Sequence, residues 1–124
     1  MRVFKTKPFA RFASHERIPD DELLDAVDRA TRGLIDADLG GGVINQRLAR
    51  QGRGKSGGFR TIILFRRDDK AFFVFGFAKN DRANIRRDEL KALRMLAETM
   101  LGLDGEDVAV AMKDGTITEI MRHG

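Results

Sequence analysis

The chain has 124 residues, a formal net charge of +4, 42% hydrophobic and 34% charged residues. That suffices for one domain with a core and not for two. Cys is absent and the only histidines are His15 and His123, which excludes disulfides and thiolate metal sites and leaves no imidazole cluster for a metal; no apolar run nears the ~18 residues of a membrane span, and MRVFKTKPFARF lacks a signal-peptide core. The expectation is a cytoplasmic protein without metal or cofactor.

Residues 2–7, RVFKTK, read as an opening strand. Pro8 suits a helical first turn, where its missing N–H costs nothing, and Phe9, Phe12 and Ala13 continue a short helix to about Glu16. Pro19-Asp20-Asp21-Glu22 starts a second helix, its early acids favoured by the helix dipole. Leu23, Leu24, Val27, Ala30, Leu34 and Ile35 form its stripe, and Gly40-Gly41-Gly42 is expected to end it.

A short strand over 43–50 follows, then a loop with four glycines over 51–58. FRTIILFRR (59–67) and AFFVFGFAK (71–79) read as an antiparallel hairpin turning at Asp68-Asp69-Lys70. Apolar residues on both faces of the second strand imply a central strand covered on two sides. DELKALRMLAETMLGL (88–103) is an amphipathic helix. The tail reads as a short helix ended by Gly115 and a TITEI strand, or as a hairpin turning at Asp114-Gly115, the helix being favoured. The order β-α-α-β-β-β-α plus a tail describes an α+β domain, helices packed on a small antiparallel sheet.

Charge is segregated. From Leu39 to Arg67 there is no acid but seven basic residues, whereas Glu16 to Asp38 carries eight acids against three arginines. The basic stretch suits a polyanion; the acidic helix reads as a solvated outer face or a partner contact. ARQGRGKS (49–56) nearly spells a phosphate-binding P-loop, with Ala49 for the first Gly. Its context argues otherwise, because Lys55-Ser56 is followed by Gly57-Gly58 and a strand, not by a helix. The loop suits a groove tracking a nucleic-acid backbone instead.

At GKSGGFRTIILFRRDDKAFFVFGFAKNDRANI (54–85) the chain resembles the RelE/ParE toxin superfamily, closest to its HigB-type RelE-like branch. The carrying features are a Gly-rich basic loop, GGFR leading into an apolar strand, a turn, and a second apolar strand ending in FAKND and ANI. The resemblance extends over most of residues 1–103, with its specific motifs in 52–85. It implies a microbial-RNase-like fold and one RelE-like toxin domain over 1–124, with a core at 1–103 and a C-terminal extension at 104–124. It also implies a ribosome-dependent endoribonuclease (an mRNA interferase) cutting translated mRNA. Its cognate antitoxin would carry a helix-turn-helix DNA-binding domain.

Such cleavage uses the 2′-OH as nucleophile and needs a proton acceptor, a stabiliser of the charged phosphorane and a proton donor. With two histidines, cations must serve. Arg60 matches the family's phosphate-clamping Arg at the start of the hairpin strand. Lys79 and Lys55 are candidate bases if neighbouring Arg charges lower their pKa. Arg82 matches a further phosphate-binding cation. Arg47, Arg50 and Arg53 are expected to bind RNA, and Asn80 to orient it. Plainer readings stand beside these: strand-end charges for Arg60 and Lys79, a mobile loop charge for Lys55, and loop residues without duty for Arg82 and Asn80. The chain departs from many relatives in having no Tyr or Trp, and Phe72, Phe73, Phe75 and Phe77 read as core. Two rival functions remain at this point, a ParE-like DNA gyrase inhibitor and an inert RNA- or ribosome-binding module.

Overall fold

The computed structural model describes residues 1–48 and 58–122. The elements run β1 (Arg2–Thr6), α1 (Lys7–His15), α2 (Asp20–Thr31), β2 (Ala37–Gly40), β3 (Val43–Leu48), β4 (Phe59–Arg66), β5 (Lys70–Ala78), α3 (Arg87–Leu101), α4 (Gly105–Lys113) and β6 (Ile117–Glu119). The six strands form one sheet in the order β2-β3-β4-β5-β1-β6. All neighbours are antiparallel except β1, which runs parallel to β5. The α+β class and the helix-covered sheet agree with the sequence reading.

The caps follow local chemistry. Thr6 Oγ1 accepts the Phe9 N–H at 3.4 Å, with Pro8 in the first turn of α1. Asp104 Oδ1 accepts from Asp107 N at 2.8 Å to open α4. Gly115, at φ +84°, follows the end of α4, so the helix-then-strand reading of the tail holds.

The second helix ends earlier than its apolar stripe suggests. Gly33 takes φ +86°, and Leu34 N donates back to Arg29 O at 2.8 Å, a wrap that closes the helix after Thr31. Leu34 is 58% exposed rather than part of the stripe. The Gly40-Gly41-Gly42 run, at φ +84°, +64° and +85°, instead turns the β2–β3 hairpin. Pairing with β3 recruits Ala37–Gly40 as an edge strand that its own composition does not announce.

The sheet is buried on both faces. Phe9 and Ala13 of α1 and Leu23, Val27 and Ala30 of α2 pack with Ile44, Ile63 and Phe73 on one face. Ala97, Met100 and Leu101 of α3 and Val108 of α4 pack with Val43, Ile62, Leu64 and Phe72 on the other. Fully burying one such side chain contributes about 1.5–3 kcal/mol, so a two-faced β4 and β5 anchor the domain. The stretch after Leu103 supplies Val108, Ile117 and Ile120 to these cores.

A bulge on β5 sets which side chains face which layer. Ile62 pairs with Phe75 but Ile63 with Phe73, so Val74 is the extra residue. Past it, the alternation of β5 is shifted by one. Gly76 then faces α1, and Phe77 faces the α3 side, opposite Arg60.

Candidate active site

The α3 side of the sheet carries the candidate cations. On β4, Arg60 shares a face with Ile62, which belongs to the α3 core. Its direct cross-strand partners are Arg47 on β3 and Phe77 on β5. Such partners have Cβ atoms about 4.5–5.5 Å apart, and like charges in that relation repel. The β4–β5 ladder runs one step past β5, where Lys79 N donates to Gly58 O at 3.0 Å. Strand alternation therefore carries Lys79 to the same face as Phe77, diagonal to Arg60. Among the described residues, no acid pairs with Arg47, Arg60 or Lys79.

The backbone under Arg47 is held firmly. Beyond Asn45, β2 no longer pairs with β3. Side chains replace the missing ladder: Asp36 Oδ2 accepts from Arg47 N at 2.7 Å, and Arg29 Nη2 donates to Arg47 O at 2.8 Å. Asp36 is also 3.7 Å from Arg29, so its charge is already answered.

Arg82 is differently placed. Its guanidinium lies 5.1 Å over the Phe77 ring and 5.5 Å over Phe75. Nε and Nη2 donate to Asn84 O at 3.1 and 3.0 Å, Nη1 donates to Glu89 Oε2 at 3.2 Å, and Nη2 also donates to Glu89 Oε1. The Arg82 hydrogen bond, with a second from Arg86 N–H, holds the Glu89 carboxyl down at about 2. Four of the five guanidinium N–H groups are thus occupied in this loop latch, whereas Arg60 keeps its donors free of described partners. Asn80 is exposed in the turn after β5. Lys55, Arg50 and Arg53 lie outside the described residues.

The basic stretch of the sequence does not make one patch. Arg66 sits six residues from Arg60, about 20 Å along the strand. There it donates to Leu101 O at 2.7 Å, closing the end of α3. The acids of α2 are largely paired: Asp20 with Lys5, Asp25 with Arg29, and Asp28 with Arg122. The Arg122 hydrogen bonds hold the Asp28 carboxyl below its usual range. His15 is exposed beside Glu16 at the end of α1, on the opposite face of the sheet from Arg60. His123 is not among the described residues. Phe72, Phe73 and Phe77 are buried and Phe75 partly so, in line with a core role.

Two further residues belong to the site that the motifs do not name: Glu89, in the DEL opening of α3, and Asn45, within β3. The period of two in VINQR is the signal that places Asn45 beside Arg47 on one face.

Among the described residues there is no group of three or more His, Cys, Asp or Glu able to hold a metal ion. No described helix is long and apolar enough to cross a membrane. A search among curated proteins returned no match. A family model does match, described as the RelE toxin of the RelE / RelB toxin-antitoxin system, over residues 1–120. With nearly the whole length matched and an α+β sheet of the expected kind, the chain belongs to the RelE toxin family.

Proposed function

We propose that this toxin is a ribosome-dependent endoribonuclease that cuts translated mRNA without a metal. The observation that carries the reading is the pair Arg47 and Arg60, directly opposite on β3 and β4, with Lys79 one step past the end of β5 and no described acid paired with any of the three side chains. Three cations without described counter-charges, at and beside the central strands, form a receptor for a phosphodiester.

In this reading Arg60 clamps the scissile phosphate and stabilises the phosphorane. Its half-buried position restricts its hydration, which strengthens the interaction. The 2′-OH attacks the adjacent phosphorus, and a cyclic phosphate and a free 5′-OH result. Lys79 relays a proton at this centre. Lys55 is proposed as a second proton carrier from the Gly-rich loop. Arg47, Arg50 and Arg53 bind the RNA backbone, and Asn80 orients the nucleotide. Arg82 fixes the shape of the loop after β5 from its place over Phe77, its donors being held by Glu89 and Asn84. His15, on the other face, takes no part.

The chain's antitoxin partner, as in the HigB-type branch, is proposed to carry a helix-turn-helix DNA-binding domain. Its simplest mode of inhibition is to cover the Arg60 face.

The test is mRNA cleavage in a reconstituted translation system with and without EDTA treatment of the toxin, comparing wild type, Arg60→Ala and Lys79→Ala. Losing a transition-state clamp of this kind costs roughly 10²–10³ in rate. Ribosome-dependent cuts that survive chelation of the toxin and fall by that factor in both variants are expected. Folded wild type that leaves mRNA intact would overturn the reading in favour of an inert ribosome binder or a gyrase poison.

A further inference from the structure

The α3 face holds one buried polar group that no role above uses. Asn45 is 7% exposed, and its Oδ1 is buried without a hydrogen-bond partner. An amide acceptor left in that state carries its full desolvation penalty. Native structures leave few such groups, and each calls for a reason.

The neighbours supply one. Asn45 is directly opposite Ile62 on β4 and Ala37 on β2, neither of which offers a side-chain donor. On the same face, Arg47 follows two residues along β3, and Arg60 is the diagonal neighbour on β4. Diagonal positions lie about 7–8 Å apart at Cα, within reach of a long side chain. A guanidinium is donor-only, with five N–H groups in a planar fork. Of the two, Arg60 is the half-buried one on the central strand, while Arg47 is exposed. The donor best placed for Asn45 Oδ1 is therefore Arg60.

Building on the ribonuclease reading, we propose that Asn45 is a positioning residue for Arg60. When a phosphate arrives, its charge relieves the repulsion between Arg47 and Arg60. Arg60 then settles toward the sheet, donates one N–H to Asn45 Oδ1, and presents the remaining N–H groups of its fork to the phosphate oxygens. The buried acceptor is a prebuilt socket for one guanidinium N–H. A free Arg side chain carries substantial rotamer entropy, and a socket fixed to the strand backbone selects the clamping rotamer.

The experiment uses the full chain and ribosomes programmed with an mRNA whose A-site codon is 2′-O-methylated, which blocks attack and isolates binding. Affinity is compared for wild type, Asn45→Leu, Asn45→Asp, Arg60→Ala and the Asn45→Leu/Arg60→Ala double variant, with thermal melts of each. Asn45→Leu is expected to bind about tenfold more weakly, in the range set by a hydrogen bond to a charged group, without a lower melting temperature. Asn45→Asp, which restores an acceptor, is expected to regain most of the affinity. In the Arg60→Ala background, Asn45→Leu is expected to add nothing. If Leu does not fold at this position, Asn45→Val serves the same comparison.

Wild-type affinity in Asn45→Leu, an equal loss with and without Arg60, or a loss that tracks melting temperature would each overturn the socket while leaving the ribonuclease reading intact. Wild type that fails to bind programmed ribosomes would overturn both. Cleavage of unmethylated mRNA by wild type, run in parallel, tells these cases apart.

Discussion

Replacing Gly76 by Ala tests how the bulged β5 strand is locked to α1. A Cβ on Gly76 would lie 2.4 Å from Phe12 Cε2, 2.7 Å from Cδ2 and 3.1 Å from Cζ. Comfortable carbon–carbon separations are about 3.5–4.0 Å, so the ring must leave. Phe12 is only partly buried and can swing toward solvent, which limits the cost. It would forfeit its tilted contact with Phe9 and its edge contact with Phe59, both at 5.7 Å between centroids. Two ring pairs at about 0.5–1.5 kcal/mol each, less the roughly 0.5–1 kcal/mol that Ala gains over Gly in a strand, leave a net loss centred on about 1 kcal/mol. For a domain of this size that is a fall of roughly 4–5 °C in Tm. Thermal and urea melts of Gly76→Ala, Phe12→Leu and the double variant check it. Phe12→Leu should cost less in the Gly76→Ala background, because the ring has already been displaced. A Gly76→Ala chain as stable as wild type, or strict additivity, would refute the account of β5 as a strand that keeps a glycine to admit the Phe12 ring.

Two further outcomes follow from the hydrogen bonds. Gln46 is fully buried: its Oε1 accepts from Asp36 N at 2.7 Å, and its Nε2 donates to Ala26 O and Leu34 O at 3.0 and 3.1 Å. Gln46→Leu strands these backbone groups where β3 meets the end of α2 and should cost about 2–4 kcal/mol in urea denaturation; Leu tolerated within 0.5 kcal/mol would sink that assignment. Glu89 titrates at about 2 in the folded chain against an ordinary 4.5. Its folded pKa is depressed, so its contribution is present above about 4.5 and is lost as pH falls toward 2. Glu89→Gln should flatten the stability-versus-pH curve in that window relative to wild type, measured by chemical denaturation at fixed salt; superimposable acid limbs would show that the Arg82–Glu89 latch carries no stability.

Much of the fold was legible in the sequence because local signals agreed with the tertiary result. Pro8 and the acids after Pro19 mark helix starts, and the two apolar runs at 59–67 and 71–79 mark a buried hairpin. Boundaries failed where long-range pairing overrode composition. Ala37–Gly40 became a strand because β3 needed a partner, and Gly33, not the later glycine run, closed α2. The GGFR and FAKN motifs nominate Arg60 and Lys79 as candidates, but not the register that brings Arg60 opposite Arg47 and Phe77. The engagement of Arg82 by Glu89 and Asn84 depends on how the β5–α3 loop closes, which no local pattern states.

By itself the sequence determined the types of most elements, β2 apart, the two-faced burial of the hairpin, and the presence of an acid-free basic stretch from Leu39 to Arg67. These follow from periodicity and charge, which are properties of neighbouring residues. Only the tertiary structure decided which of those cations share a surface. The extra residue Val74 shifts the alternation of β5, so Phe77 and Lys79 face the α3 side with Arg60, while Arg66 is spent on closing α3. A one-residue bulge turns every later side chain of a strand to the other face. Its position is set by how β4 and β5 pack between two helical layers, a constraint between residues far apart in the chain.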